Sequence, residues 1–310
     1  MLRFRIVKDD TKVKFMSIHK LALFLSGAMM VLSVVLLFTR GLNLGIDFTG
    51  GLLVEIKTPM AVHIGEVREA LSKLSTGAPT IQEFGNGEVM VKIPGKEAAH
   101  VTRKKLYAEI STLLHNKVEF RRAEYVGPQV GHELIMVGIK AFIYSMIGIL
   151  LYIWVRFEWQ FGITGCIALA HDVCATLLFF TLTQYEFDLS TVAAVLLVAG
   201  YSINDTVVVF DRIRENLRKF RKMPLPDVFN LSVNQTLSRT MMTSMMTFLA
   251  MLALLIFGPE VIRGFTYAML VGIVVGTYSS IFVASPILLY MNLRREPAPA
   301  KKETELAKQS

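Results

Sequence analysis

Six stretches of this chain run for about twenty residues with scarcely a charge, a length that suits a helix crossing a bilayer. They lie at residues 21–38, 134–155, 161–183, 190–210, 241–257 and 265–291. They predict a polytopic α-helical membrane protein with six transmembrane helices. Between the first and second stretches the pattern changes to that of a soluble domain. Residues 52–56 read as a strand and 62–74 as a helix. Residues 80–84 and 89–93 read as two strands joined by a turn around Gly85-Asn86-Gly87. Helical periodicity returns over 97–115, and 118–125 alternates as an extended segment. The order β-α-β-β-α-β predicts a small external α+β domain of ferredoxin-like arrangement.

The expected organisation is therefore a cytoplasmic N-terminus at 1–20 and a first transmembrane helix at 21–39. The external domain occupies 40–132, and helices two to six occupy 133–292 with a cytoplasmic loop at 211–240. A tail at 293–310, rich in Pro, Ala, Lys and Glu, has the composition of a disordered segment. Within the loop, Pro224 and Pro226 punctuate the chain, and Phe229, Val233 and Leu237 share one face of a short interfacial helix.

Charge sets the orientation. The chain is 53% hydrophobic and 19% charged, with mean hydropathy +0.49 and a formal charge of +8. The basic residues flank apolar runs instead of forming a stripe among aromatics, so they are read as anchors beside anionic lipid and not as a nucleic-acid surface. Arg3, Arg5, Lys8, Lys12, Lys14 and Lys20 precede the first run. Arg212, Arg214, Arg218, Lys219, Arg221, Lys222 and Arg239 fill the loop at 211–240, and Arg294 and Arg295 follow the last run. The short connections 184–189 and 258–264 carry only Arg263. Both termini are therefore expected inside and the sheet domain outside. No A-x-A-like site follows the first run, which favours an uncleaved anchor over a signal peptide. Cys166 and Cys174 are separated by about 12 Å of helix, too far for a disulfide, and read as small apolar residues.

Two carboxylates fall inside membrane runs, where an ionised group costs at least about 2.5–3.5 kcal/mol. Asp205 follows Tyr201 and Ser202 by four and three residues, so all three share a helix face. The fifth helix offers Thr240, Thr243, Ser244 and Thr247 at i, i+3, i+4 and i+7, with Arg239 at its cytoplasmic edge. These residues describe a polar path between the fourth and fifth helices, and a desolvated carboxylate in such a path is a proton-uptake site. Arg239 is equally placed to be a plain positive flank. Asp172, beside His171 in the third helix, is either a second titrating group or an internal hydrogen-bonded cap. Asp211, at the membrane edge, is expected to pair with Arg212 or Arg214 as a structural group, or to meet a partner. The sixth helix carries small residues every fourth position, with Gly264, Ala268, Gly272 and Gly276 leading the seam, which signifies close packing within the protein or with a partner. Met241-Met242 and Met245-Met246 read as adaptable packing. Nucleotide-binding, hydrolase and metal-site motifs are missing, so no ATP hydrolysis, catalytic residue, cofactor or metal is expected.

Two segments resemble a known family. Gly45-Ile46-Asp47-Phe48-Thr49-Gly50-Gly51 is similar to a signature of the SecD/SecF bacterial export proteins. Gly200 through Glu215, reading GYSINDTVVVFDRIRE, resembles the form found in the family's SecF branch, as does the short external domain. Ala170-His171-Asp172-Val173 and Ser238-Arg239-Thr240 fit as well. The resemblance implies a subunit of the resistance-nodulation-division superfamily in the bacterial inner membrane, with its small domain in the periplasm. It implies SecD as partner, and assistance to the SecYEG channel and the ATPase SecA. The proton motive force would help draw preproteins across at a late stage. It implies a proton relay at Asp205 with Arg239, to which Asp172 is a further candidate and spacing adds Tyr201 and Ser202. Asp47, Gly50 and Gly51 would form a turn coupling domain to membrane part, or a tight turn that simply needs glycine. A small-molecule exporter half, a passive scaffold and a membrane protease are the rival readings.

Overall fold

The computed structural model describes residues 11–57, 64–71, 79–85, 88–94, 103–114, 118–291 and 293. Outside the described residues lie the tail after 293, Arg3, Arg5 and Lys8, the Asn86-Gly87 turn, and the ends of both expected domain helices. Among the described residues six helices are long and apolar enough to cross a membrane, which makes this a multi-pass membrane protein. The first is α1, His19–Thr39. After it come a one-turn helix α2, Ile46–Thr49, and the sheet domain.

The sheet domain runs β1 (Gly51–Lys57), α3 (Ile64–Leu71), β2 (Thr80–Gly85), β3 (Glu88–Pro94), α4 (Arg103–Leu113) and β4 (Glu119–Val126). Its sheet is antiparallel throughout, in the order β2-β3-β1-β4. Along β1 the alternation of Leu52, Val54 and Ile56 puts all three on one buried face. Val54 sits between Val91 and Ala123, and the register with β4 shifts once, between Glu55 and Ile56. Val67 and Leu71 of α3 and Ile110 of α4 complete that core.

Five spans follow. Helix α5 is Pro128–Arg156, α6 is Trp159–Thr183, α7 is Leu189–Lys219 and α8 is Leu225–Phe257. The sixth span combines α9, Arg263–Ser279, a π-helical stretch Ser280–Ala284, and α10, Ser285–Tyr290. Pro286 cannot donate to the carbonyl one turn back, and the widened stretch precedes it directly. Helices α7 and α8 extend well past their apolar runs, so residues 211–240 are mostly helical. Phe229 and Val233 are buried there, and Leu237 packs on the same cluster with Phe161, Phe210 and Ile213. The expected interfacial face is thus part of the helical core.

Helices α6 and α9 are the most buried spans, whereas no residue in the apolar stretch of α5 is fully buried. The small-residue seam explains how α9 comes so close to α7. A Cβ on Gly272 would drive into the Val198 side chain. One on Gly276 would lie 2.9 Å from Ser202 Cβ, and one on Gly264 would lie 2.8 Å from Thr191 Oγ1. Ala268 is fully buried in the same row. The seam packs within the chain.

Candidate functional site

Asp205, in the body of α7, is 3% exposed. Ser244 of α8 donates to Asp205 Oδ2 at 3.1 Å. Thr277 of α9 lies 2.7 Å behind, hydrogen-bonded to the Ser244 hydroxyl. The carboxylate thus ends a short chain of hydroxyls crossing three helices. Thr243 and Arg239 lie within electrostatic reach of it. Arg239 is exposed and lines a cleft of about 360 Å³ with Tyr152, Asp211, Glu215 and Gln235. The buried acid therefore lies within electrostatic reach of a cation on that cleft.

The expected polar stripe on α8 divides. Ser244 turns to Asp205. Thr243 and Thr247 donate to carbonyls of their own helix, Thr240 at 2.9 Å and Thr243 at 3.1 Å. The Thr240 hydroxyl is buried without a partner among the described residues, as is the Tyr201 hydroxyl.

Ser202 does not join Asp205. It donates a short hydrogen bond to Asp172 Oδ2. Ser279 of α9 donates to the same oxygen at 2.9 Å, and His171 Nδ1 lies 2.9 Å from Oδ1. Asp172 is fully buried, so this carboxylate fastens α6, α7 and α9 through three polar neighbours. A buried acceptor left without such partners would be strongly unfavourable, which is why the three sit together.

The segment after α1 forms the joint between the two parts of the protein. Gly45 N–H donates to the Phe187 carbonyl at 2.9 Å, and Phe187 N–H donates to the Asn43 carbonyl at 2.8 Å. Asp47 Oδ2 accepts from Leu189 N–H at 3.0 Å, at the first turn of α7. Asp188 caps the same helix by accepting from Thr191 N–H at 2.8 Å. Two carboxylates therefore meet a helix N-terminus, where the helix dipole favours negative charge. Gly50 has φ +73° and ψ 166°, a conformation essentially reserved for glycine, and lets the chain turn from α2 into β1. A further tie comes from Lys92 on β3, whose ammonium lies 2.9 Å from Glu186 in the α6–α7 connection. Both side chains are largely buried.

Comparison with known proteins decides the family. The model of the protein export membrane protein SecD/SecF C-terminal region matches residues 107–294, and the SecD/SecF GG motif model matches residues 35–61. The chain belongs to the SecD/SecF protein-export family. The protein translocase subunit SecF of Calditerrivibrio nitroreducens is 44% identical over 300 residues, 94% of this chain and 98% of the relative. That of Rickettsia rickettsii is 42% identical over 287 residues, 92% of this chain and 93% of the relative. The crystal structure of SecDF, a translocon-associated membrane protein from Thermus thermophilus, matches with a TM-score of 0.78 at 36% identity. The match covers 92% of this chain and 39% of that longer one.

Within the SecD/SecF matches, Asp47, Gly50 and Gly51 fall in the GG motif, and Asp172, Asp205, Ser244 and Arg239 fall in the C-terminal region. Thr277, Ser279, Lys92 and Glu186 escaped the sequence reading. The run Thr277-Tyr278-Ser279-Ser280, polar inside an apolar helix, was the available signal for the first two. Nothing local marks Lys92 and Glu186, which are distant in sequence.

Proposed function

We propose that this chain is the SecF-type subunit of a protein translocase and that it couples the proton motive force to late preprotein movement. SecD is its partner, the SecYEG channel and SecA are the machinery it assists, and preproteins are the substrate. The relatives named as translocase subunits and the solved SecDF chain support this reading. The chain then sits in the bacterial inner membrane with both termini cytoplasmic and the sheet domain on the outer side. The basic residues of the α7–α8 region, against opposite connections whose single basic residue is Arg263, support that orientation. The antiparallel order β2-β3-β1-β4 supports a ferredoxin-like sheet domain. The subunit is not an enzyme in this account. Its energy comes from the gradient.

The observation that carries the proposal is Asp205, buried in a membrane helix and reached by the Ser244 hydroxyl of α8, which Thr277 of α9 backs. When Asp205 is ionised, Arg239 is attracted to it. A proton entering from the outer side removes that attraction and lets α7 and α8 shift. The shift reaches the sheet domain through the N-terminal end of α7, held by Asp47. Release of the proton to the cytoplasm resets the site. Asp172, with Ser202, forms the fixed point about which the helices move, and Tyr201 and the Thr240–Thr247 stripe line the route. One proton crossing 100 mV supplies about 2.3 kcal/mol, which biases a two-state equilibrium nearly fiftyfold.

The test is preprotein uptake into inverted membrane vesicles driven by SecA and ATP, with and without a proton gradient. Vesicles containing this chain and SecD gain uptake from the gradient, and vesicles lacking them do not. Equal gain in both would refute the proposal.

A further inference from the structure

At the cytoplasmic face assigned above, the turn from α5 to α6 meets the far part of α7 in a cleft of about 530 Å³. It is lined by Arg156, Arg214, Arg218 and Lys219 against Asp211 and Glu215. The four cations exceed the two carboxylates, and the carboxylates are engaged elsewhere or singly. Asp211 takes Arg156 at 3.3 Å, while Glu215 takes Arg212 at 2.7 Å. Among the described residues no carboxylate pairs with Arg214, Arg218 or Lys219. The Arg156 and Arg214 guanidinium carbons also stand 5.2 and 5.9 Å from the centre of the same Phe157 ring. Two like charges thus lie against one ring, and a nearby anion would relieve their mutual repulsion.

The residues around the cleft carry the markers of headgroup depth. Beside Arg156, the chain turns Trp154, Val155 and Trp159 outward, at 63%, 90% and 56% exposure. Exposed indole rings next to basic residues mark the membrane–water boundary. One side of α5 leaves Ile143, Tyr144, Ile147, Leu151 and Tyr152 exposed, which gives acyl chains a wall to lie on.

We infer that this cleft is a binding site for the phosphodiester headgroup of an anionic phospholipid of the inner leaflet, with the acyl chains lying along α5. A soluble phosphate anion shares the headgroup chemistry. Only a lipid uses the apolar wall as well. The site rests on the orientation proposed above, but its occupancy is measured without reference to translocation.

The experiment titrates the full chain, purified with its partner subunit, with phosphatidylglycerol and counts retained lipid by native mass spectrometry. The Arg218→Gln/Lys219→Gln pair is expected to weaken retention at least about tenfold, following the contribution of each basic residue near an anionic surface. Lys14→Gln/Lys222→Gln removes the same charge from exposed positions outside the cleft and is expected to leave retention unchanged. Equal losses in the two pairs would overturn the site, since general surface charge would then explain binding. Retention of phosphatidylcholine as strong as that of phosphatidylglycerol would overturn the anion preference. Displacement of the lipid by an equal concentration of inorganic phosphate would overturn the lipid assignment in favour of a free anion site.

Discussion

Ser244 reaches from α8 to hydrogen-bond the buried carboxylate of Asp205 on α7, 3.1 Å from oxygen to oxygen. The same hydroxyl meets Thr277 of α9, so one small side chain joins three spans at the proposed proton site. Ser244→Ala leaves one carboxylate oxygen without its donor, at a cost of about 1–3 kcal/mol for a buried group. The variant should reach normal membrane levels and show a partial export defect, smaller than that of an Asp205 substitution. Pulse-labelled precursor provides the measurement, and unchanged export would remove Ser244 from the site.

The Asp172 cluster predicts a stability effect. Asp172→Ala leaves the Ser202 hydroxyl without its acceptor, at about 1–3 kcal/mol, while Ser279 keeps the Gly276 carbonyl. Thermal unfolding in detergent should show a clear loss for Ala and a milder one for Asn, which preserves one acceptor. A protein as stable with Ala as with Asp would show that the cluster is not a fastening point.

Gly272 faces Val198 too closely for any side chain. Gly272→Ala should destabilise the α7–α9 contact by about 1–3 kcal/mol through overpacking. Val198→Ala in the same molecule should return most of that loss, because it vacates the space. If Gly272→Ala alone is tolerated at wild-type stability, the close approach of the helices is wrong.

Lys92 and Glu186 tie the sheet domain to the α6–α7 connection across a largely buried contact. Glu186→Gln leaves the ammonium without its charge partner, and Lys92→Met leaves the carboxylate without its own. Breaking a buried pair from one side is far worse than replacing both members. Limited proteolysis should open the joint several-fold faster in each single variant, with Lys92→Met/Glu186→Met closer to wild type. Equal rates in all four proteins would mean that the ion pair does not hold the domain.

The spans and most of the sheet domain were legible because hydrophobic runs and strand alternation are local signals. Asp205 stood out because a carboxylate is rare in such a run, and Ser244 because its spacing placed it on one stripe with Thr240, Thr243 and Thr247. Spacing fixes which residues share a helix face, but not which neighbouring helix that face meets. Ser202 therefore seemed to belong with Asp205 and instead serves Asp172. The seam of Gly264, Gly272 and Gly276 announced a close contact without naming α7 as its partner. The Lys92–Glu186 pair depends on how a folded sheet domain settles on a loop more than ninety positions away, which no periodicity encodes.

The central claim is that Asp205 works as a proton site, not as a structural fixture. The measurement is precursor export in cells depleted of the native protein and supplied with Asp205→Asn, with membrane levels followed by blotting. The variant is expected to accumulate normally while precursors pile up. Export at the wild-type rate would contradict it and leave the chain as a scaffold for its partner.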